Sequence, residues 1–113
     1  MHAADTNGEL LHLMEEQGDD LAVPRDIDFF VIFATRPQAE AFAELATTAL
    51  DMPAQVGAWE KTDKWQVSLS RHMAPEHAEL NRLEKQVAAL ARRHGGDADG
   101  WGCPRVSKDA DPR

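Results

Sequence analysis

Apolar residues recur along this chain with two periods, one helical and one alternating, and the changes between them predict seven elements. Near the start, Leu10, Leu11 and Met14 fall at helical spacing, with Leu21 following. Thr6 or Asn7 can cap this helix, Glu9 sits where the helix dipole favours negative charge, and Gly18 is placed to stop it. Asp19 to Arg25 reads as a connector, in which Pro24 biases Val23 towards extended backbone. Ile27 to Ala34, IDFFVIFA, is the strongest strand signal. Ile27, Phe29, Val31 and Phe33 share one face, and Phe30 and Ile32 share the other. Two apolar faces mark a central strand covered on both sides, so the leading helix or another chain is expected on the second face.

The sequence Thr35-Arg36-Pro37-Gln38 predicts a capped helix with proline in its first turn, running to about Leu50. Its apolar stripe is Ala39, Phe42, Ala46 and Ala49, with Leu45 beside it. A hairpin follows, from Ala54–Glu60 and Lys64–Arg71 around Lys61-Thr62-Asp63. Trp65, Val67 and Leu69 alternate with Gln66, Ser68 and Ser70, the pattern of a half-buried antiparallel strand. Met73-Ala74-Pro75-Glu76 opens a long helix to about His94, with His77, Leu80, Leu83, Val87, Leu90 and Ala91 as its stripe. Arg92 and Arg93 complement the dipole in the last turn, and Gly95-Gly96 ends it. Asp97 to Cys103 forms a short last strand. The order is a helix, then β-α-β-β-α-β. The expected class is α+β, a variant ferredoxin-like sandwich with a four-stranded antiparallel sheet. Residues 1–103 are expected to form one domain and residues 104–113 a flexible tail.

Composition narrows the function classes. The chain has 113 residues, 42% hydrophobic and 28% charged, enough for one small domain with a core of its own. A single cysteine excludes a disulfide framework and any multi-cysteine zinc site within the chain. No apolar run approaches the about 18 residues that a membrane span requires. The N-terminus lacks a basic segment followed by an apolar stretch, so a cytoplasmic location and no membrane association are expected.

Charge changes the picture further. Twenty acidic residues outweigh twelve basic ones, for a net charge of −8. Residues 1–28 hold eight acids and one base, residues 29–70 five and three, residues 71–94 three and five, and residues 95–113 four and three. Such a field disfavours direct contact with nucleic acid and favours a basic protein partner. Glu15, Glu16, Asp19 and Asp20, together with Asp97, Asp99 and Trp101, are the expected partner-binding positions. The alternative is that the acidic leader is simply a solvated surface.

Catalytic and metal chemistry find little support. His72 and His77 are poorly spaced for chelation, and His77 lies on an apolar stripe. Asp97-Ala98-Asp99-Gly100 begins like a calcium loop but places Trp101 and Lys108 where oxygen ligands belong. Asp97 and Asp99 near Cys103 push its thiol away from thiolate character. No catalytic residues, cofactor or metal are therefore expected. Four glycines in the nine residues GGDADGWGC are costly in a strand. They either make room for a Trp101 packed into the core, or build a rigid edge that shows an aromatic and acids to a partner.

Several of these segments resemble the regulator of ribonuclease activity B family. They are Pro24-Arg25-Asp26-Ile27-Asp28-Phe29-Phe30, Ala39-Glu40-Ala41-Phe42-Ala43, Met73-Ala74-Pro75 and, most specifically, Gly95-Gly96-Asp97-Ala98-Asp99-Gly100-Trp101-Gly102-Cys103. The resemblance covers about residues 5–103. It implies a small bacterial cytoplasmic protein of variant ferredoxin-like fold. It further implies a non-enzymatic protein that binds and inhibits ribonuclease E, whose arginine-rich region would suit an acidic regulator. The family pattern defines no interface residues. The other class to weigh is a stand-alone structural or homo-oligomeric binding module without a nuclease partner.

Overall fold

One strand, β1 (Arg25–Phe33), organises the molecule, because its sequence is apolar at every position from Phe29 to Phe33. The structure is a computed structural model and describes residues 6–59 and 62–103. β1 pairs antiparallel with β3 (Trp65–Met73) on one side and with β4 (Asp97–Gly102) on the other. β2 (Ala54–Ala58) adds outside β3, giving the order β2-β3-β1-β4. This is the split β-α-β unit used twice, the four-stranded antiparallel sheet that the element order predicts. The expected tail, residues 104–113, lies outside the described residues.

The two crossover helices, α2 (Arg36–Ala49) and α3 (His77–Arg93), lie on the same face of the sheet. That face carries Ile27, Phe29, Val31 and Phe33 of β1 with Val67 and Leu69 of β3, all buried. Phe42 of α2 closes on Phe33 with ring centroids 5.1 Å apart. Leu80, Leu83, Val87 and Ala91 of α3 complete the core. Each such side chain contributes at most about 1.5–3 kcal/mol by leaving water, so the core supplies most of the driving force.

Local chemistry fixes the helix ends. Thr35 caps α2, its hydroxyl accepting from the Gln38 N–H at 3.4 Å, with Pro37 in the first turn. The buried side chains are Ala39, Phe42, Ala43 and Ala46, the i, i+3, i+4, i+7 positions of a 3.6-residue period. Ala49 in the last turn is exposed and so leaves the predicted stripe, and Leu45 beside the stripe is exposed as well. α3 begins at His77, later than Met73-Ala74-Pro75 predicts, because β3 continues to Met73, which pairs with Arg25. Gly95 then turns the chain at a φ of 80°, a conformation costly for other residues. Gly96 follows in close contact with the core: a Cβ there would stand 2.5 Å from the Phe33 ring.

The leading helix, α1 (Thr6–Glu16), departs from expectation. It packs against α3, on the same side of the sheet as the other helices, and buries Leu11 in the common core. It does not cover the second sheet face. Asn7 is not its cap either: it sits inside the helix and bonds to other elements, while the Thr6 side chain lies outside the described residues. Gly18 does stop the helix, at a φ of 92°.

The second face is more polar than β1 alone implies. Phe30 and Ile32 share it with Asp28 and with Gln66, Ser68 and Ser70 of β3. Ser70 donates a hydrogen bond to Asp28. Among the described residues no helix lies on it.

Two glycines give opposite expectations for added bulk. Gly96→Ala forces a methyl group into the Phe33 ring and is expected to cost about 1–3 kcal/mol. Gly57→Ala meets no atom within 4 Å and should change stability by no more than about 0.5 kcal/mol. Urea unfolding midpoints of the two variants check the contrast.

Candidate partner-binding site

α1 and the sheet meet at a corner built by two sets of polar contacts. The first centres on Asn7, which is buried. Its carbonyl oxygen accepts from the Trp101 indole N–H at 2.9 Å. Its amide donates to Asn81 Oδ1 and to Glu84 Oε1, each at 2.7 Å. One side chain thereby ties α1 to both β4 and α3. Asn81 in turn donates to His77 Nε2 at 3.1 Å, which joins that half-buried histidine to the same set of contacts.

The second set centres on Arg25, the first residue of β1. Its Nη1 donates to both carboxylate oxygens of Asp19, at 2.8 and 3.0 Å. Its Nη2 donates to the Asp20 carbonyl at 2.6 Å and its Nε to the Val23 carbonyl at 3.2 Å. Asp19 is 1% and Arg25 4% exposed, so this is a fully buried ion pair. Asp19 is thereby removed from the expected docking surface. Its charge is balanced inside the protein by Arg25.

Between α1 and the end of β4 lies a largely apolar cleft of about 260 Å³. Leu10, Met14 and Gln17 of α1 and its end, Asp19 of the connector, and Trp101, Gly102 and Cys103 at the end of β4 line it. Burial pushes the Cys103 thiol above its ordinary range, and Asp19 and Asp28 push the same way against the opposing pull of Arg25. The direction is the one the sequence implies, but the cause differs: burial with Asp19 and Asp28, not Asp97 and Asp99, disfavours the thiolate.

The glycine-rich segment resolves position by position. Register places Trp101 opposite Phe29, so the indole packs on the helix side, half-buried against the core. Asp99 and Gly100 together oppose Phe30, a bulge that Gly100 permits at a φ of 87°. A Cβ on Gly102 would stand 3.6 Å from the Phe30 ring on the other side of the sheet. Of the four glycines, Gly96 makes room for an aromatic, the Phe33 ring. Gly95 and Gly100 serve turns at positive φ, and a Cβ on Gly102 would meet Phe30 only at ordinary contact distance.

The remaining expected positions divide. Glu15 and Glu16 are exposed on α1, and Asp20 is half-buried in the turn after it, its side chain accepting from the Ala22 N–H at 3.1 Å. Glu16 pairs with His12 at 3.4 Å. Asp97 and Asp99 are exposed on β4, with Asp97 opposite Ile32 and so directed to the second face. The acids thus occupy two surfaces, not one. Leu10 and Leu13, 38% and 48% exposed on α1, are absent from the expected set. Their signal was present: four apolar residues within Leu10–Met14 exceed what one face of a helix can bury.

Among the described residues, no three His, Cys, Asp or Glu side chains gather where they could hold a metal ion. No described helix is long and apolar enough to cross a membrane. What distinguishes this α+β domain is an acidic helix beside an apolar cleft. The model of the family described as Regulator of ribonuclease activity B matches residues 4–103. The chain belongs to that family and is a regulator of ribonuclease activity. None of the curated proteins compared with the chain matches it.

Two outcomes are expected at this corner. Asp19→Ala removes the carboxylate that balances the buried Arg25 charge and should cost about 3–5 kcal/mol in urea unfolding. The exposed Asp97→Ala should change stability by no more than about 0.5 kcal/mol. Alkylation of Cys103 by iodoacetamide should rise with pH along a curve displaced upwards from that of a free cysteine peptide, because only the thiolate reacts. A curve displaced downwards would contradict the burial of the thiol.

Proposed function

We propose that this protein binds an endoribonuclease of the ribonuclease E type and inhibits it, altering which transcripts are cut. The family match over residues 4–103 carries the reading. The net charge of −8 supports a partner that presents a basic region and opposes a mechanism of shielding the RNA itself. Inhibition by occupancy asks no bond-making of this chain, which suits a regulator. Such a partner places the protein in the cytoplasm, where a single unpaired thiol stays reduced.

In this reading steering and anchoring fall to different groups. Glu15, Glu16 and Asp20 on one surface, and Asp97 and Asp99 on the other, supply a field that draws a basic surface inward. Exposed ion pairs contribute only about 0–1 kcal/mol each, so affinity must come from an apolar contact that excludes water.

The test is cleavage of a model RNA by the cognate nuclease with and without the protein, alongside calorimetric binding. Saturable binding in about the micromolar range or tighter is expected, with slower cleavage at saturation and slower association as salt rises. Unchanged cleavage with no binding at about 10 μM overturns the reading, which leaves a stand-alone module as the better account.

A further inference from the structure

We propose, resting on the regulator reading, that the cleft between α1 and the end of β4 seats one bulky apolar side chain from a basic segment of the partner. The volume, about 260 Å³, falls below the roughly 300–1,000 Å³ of typical small-molecule sites and fits a single anchoring side chain. Its walls suit such a guest. Leu10 and Met14 are aliphatic, Trp101 offers an aromatic surface, and the methionine thioether adapts its shape to what it meets. Leu10 and Leu13 stand exposed on the same helix, a cost in water that an apolar contact removes. Trp101 is held by its bond to Asn7, so that wall is set before any partner arrives.

Charge complementarity identifies the flanks of the guest. Residues 6–24 contain Glu9, Glu15, Glu16, Asp19 and Asp20 and no Lys or Arg. With Asp19 committed to Arg25, four acids remain along α1 and its turn. The occupant is therefore a segment with a Leu-, Phe- or Trp-sized residue flanked by Lys or Arg. An anchor in a water-excluding pocket with a charged rim is how few residues come to dominate an interface.

Cys103 lines the cleft and is the only cysteine of the chain, so its modification reports occupancy there. The experiment follows the rate at which a small maleimide modifies Cys103 in the full chain while a synthetic peptide is added. The probe peptide carries one central leucine flanked by arginines. One control replaces the leucine by alanine, and another replaces the arginines by glutamates. Expected is slowing of at least about threefold by the probe and little by either control. Leu10→Gln, a change at an exposed position that spares the core, should weaken that protection about tenfold.

Equal protection by the alanine control overturns the proposal, because charge alone then accounts for binding. So does absence of protection by the probe. Protection that grows with protein concentration in the absence of peptide overturns it in favour of a second copy of this chain. Faster maleimide modification of Cys103 in the peptide-free chain after Arg105→Glu with Lys108→Glu overturns it in favour of residues 104–113 as the occupant. Nuclease inhibition measured on the same Leu10→Gln variant separates the two readings. Full inhibition without peptide protection removes the cleft but keeps the regulator. Peptide protection with no nuclease binding by the unaltered chain removes the regulator.

Discussion

A guanidinium buried at the first residue of the central strand sets how the rest of the molecule is joined. Arg25 spends its donors on the Asp19 carboxylate and on two carbonyls of the connector, so the turn between α1 and β1 is wrapped around it. A lysine offers a point charge and three donors, and cannot satisfy that planar arrangement. Once the turn is fixed, α1 has one direction in which to leave, and it leads towards α3 and β4. Asn7 then closes the other end of the helix against Trp101 and Asn81. The corner is a clamp with one ionic and one amide jaw, and the cleft lies between them.

Much of the fold was legible because it rests on periodicity and punctuation. Alternation at Trp65, Val67 and Leu69, the Thr35 cap and the Gly95-Gly96 stop each act locally, and each holds in the structure. The placement of α1 was not legible. An apolar second face on β1 implied a cover, yet the faces of a sheet are shared, and β3 brings Gln66, Ser68 and Ser70 to that side. One strand read alone overstates how apolar its face is. The missing information was pairing across some forty residues of sequence, which no local pattern carries.

The same limit governs the site. Charge counting put Asp19 beside Asp20 as equivalent surface acids, whereas the structure buries the first against Arg25 and leaves the second half-exposed. The sequence left open whether the glycines make room for Trp101 or build a rigid edge; the close approach in the structure is Gly96 against Phe33, and Gly100 serves the bulge opposite Phe30. Leu10 and Leu13 were countable in the sequence as surplus apolar residues. That Leu10 lines a cleft walled by β4 depends on contacts some ninety residues apart, as the Asn7–Trp101 bond shows.

The bulge has a consequence for how the sheet ends. At β4 the ladder is interrupted, so that border offers no regular row of backbone donors and acceptors on which another strand can lie. The opposite border, β2, is regular along its pairing with β3 and has no charged residue in its five. Its restraints are brevity and Pro53, which has no N–H, immediately before it. The sheet is thus asymmetric towards its surroundings: one margin is shut by geometry, the other only by being short. Lengthening of that second margin, by insertion or by drift at Pro53, is where unwanted strand addition between molecules would begin.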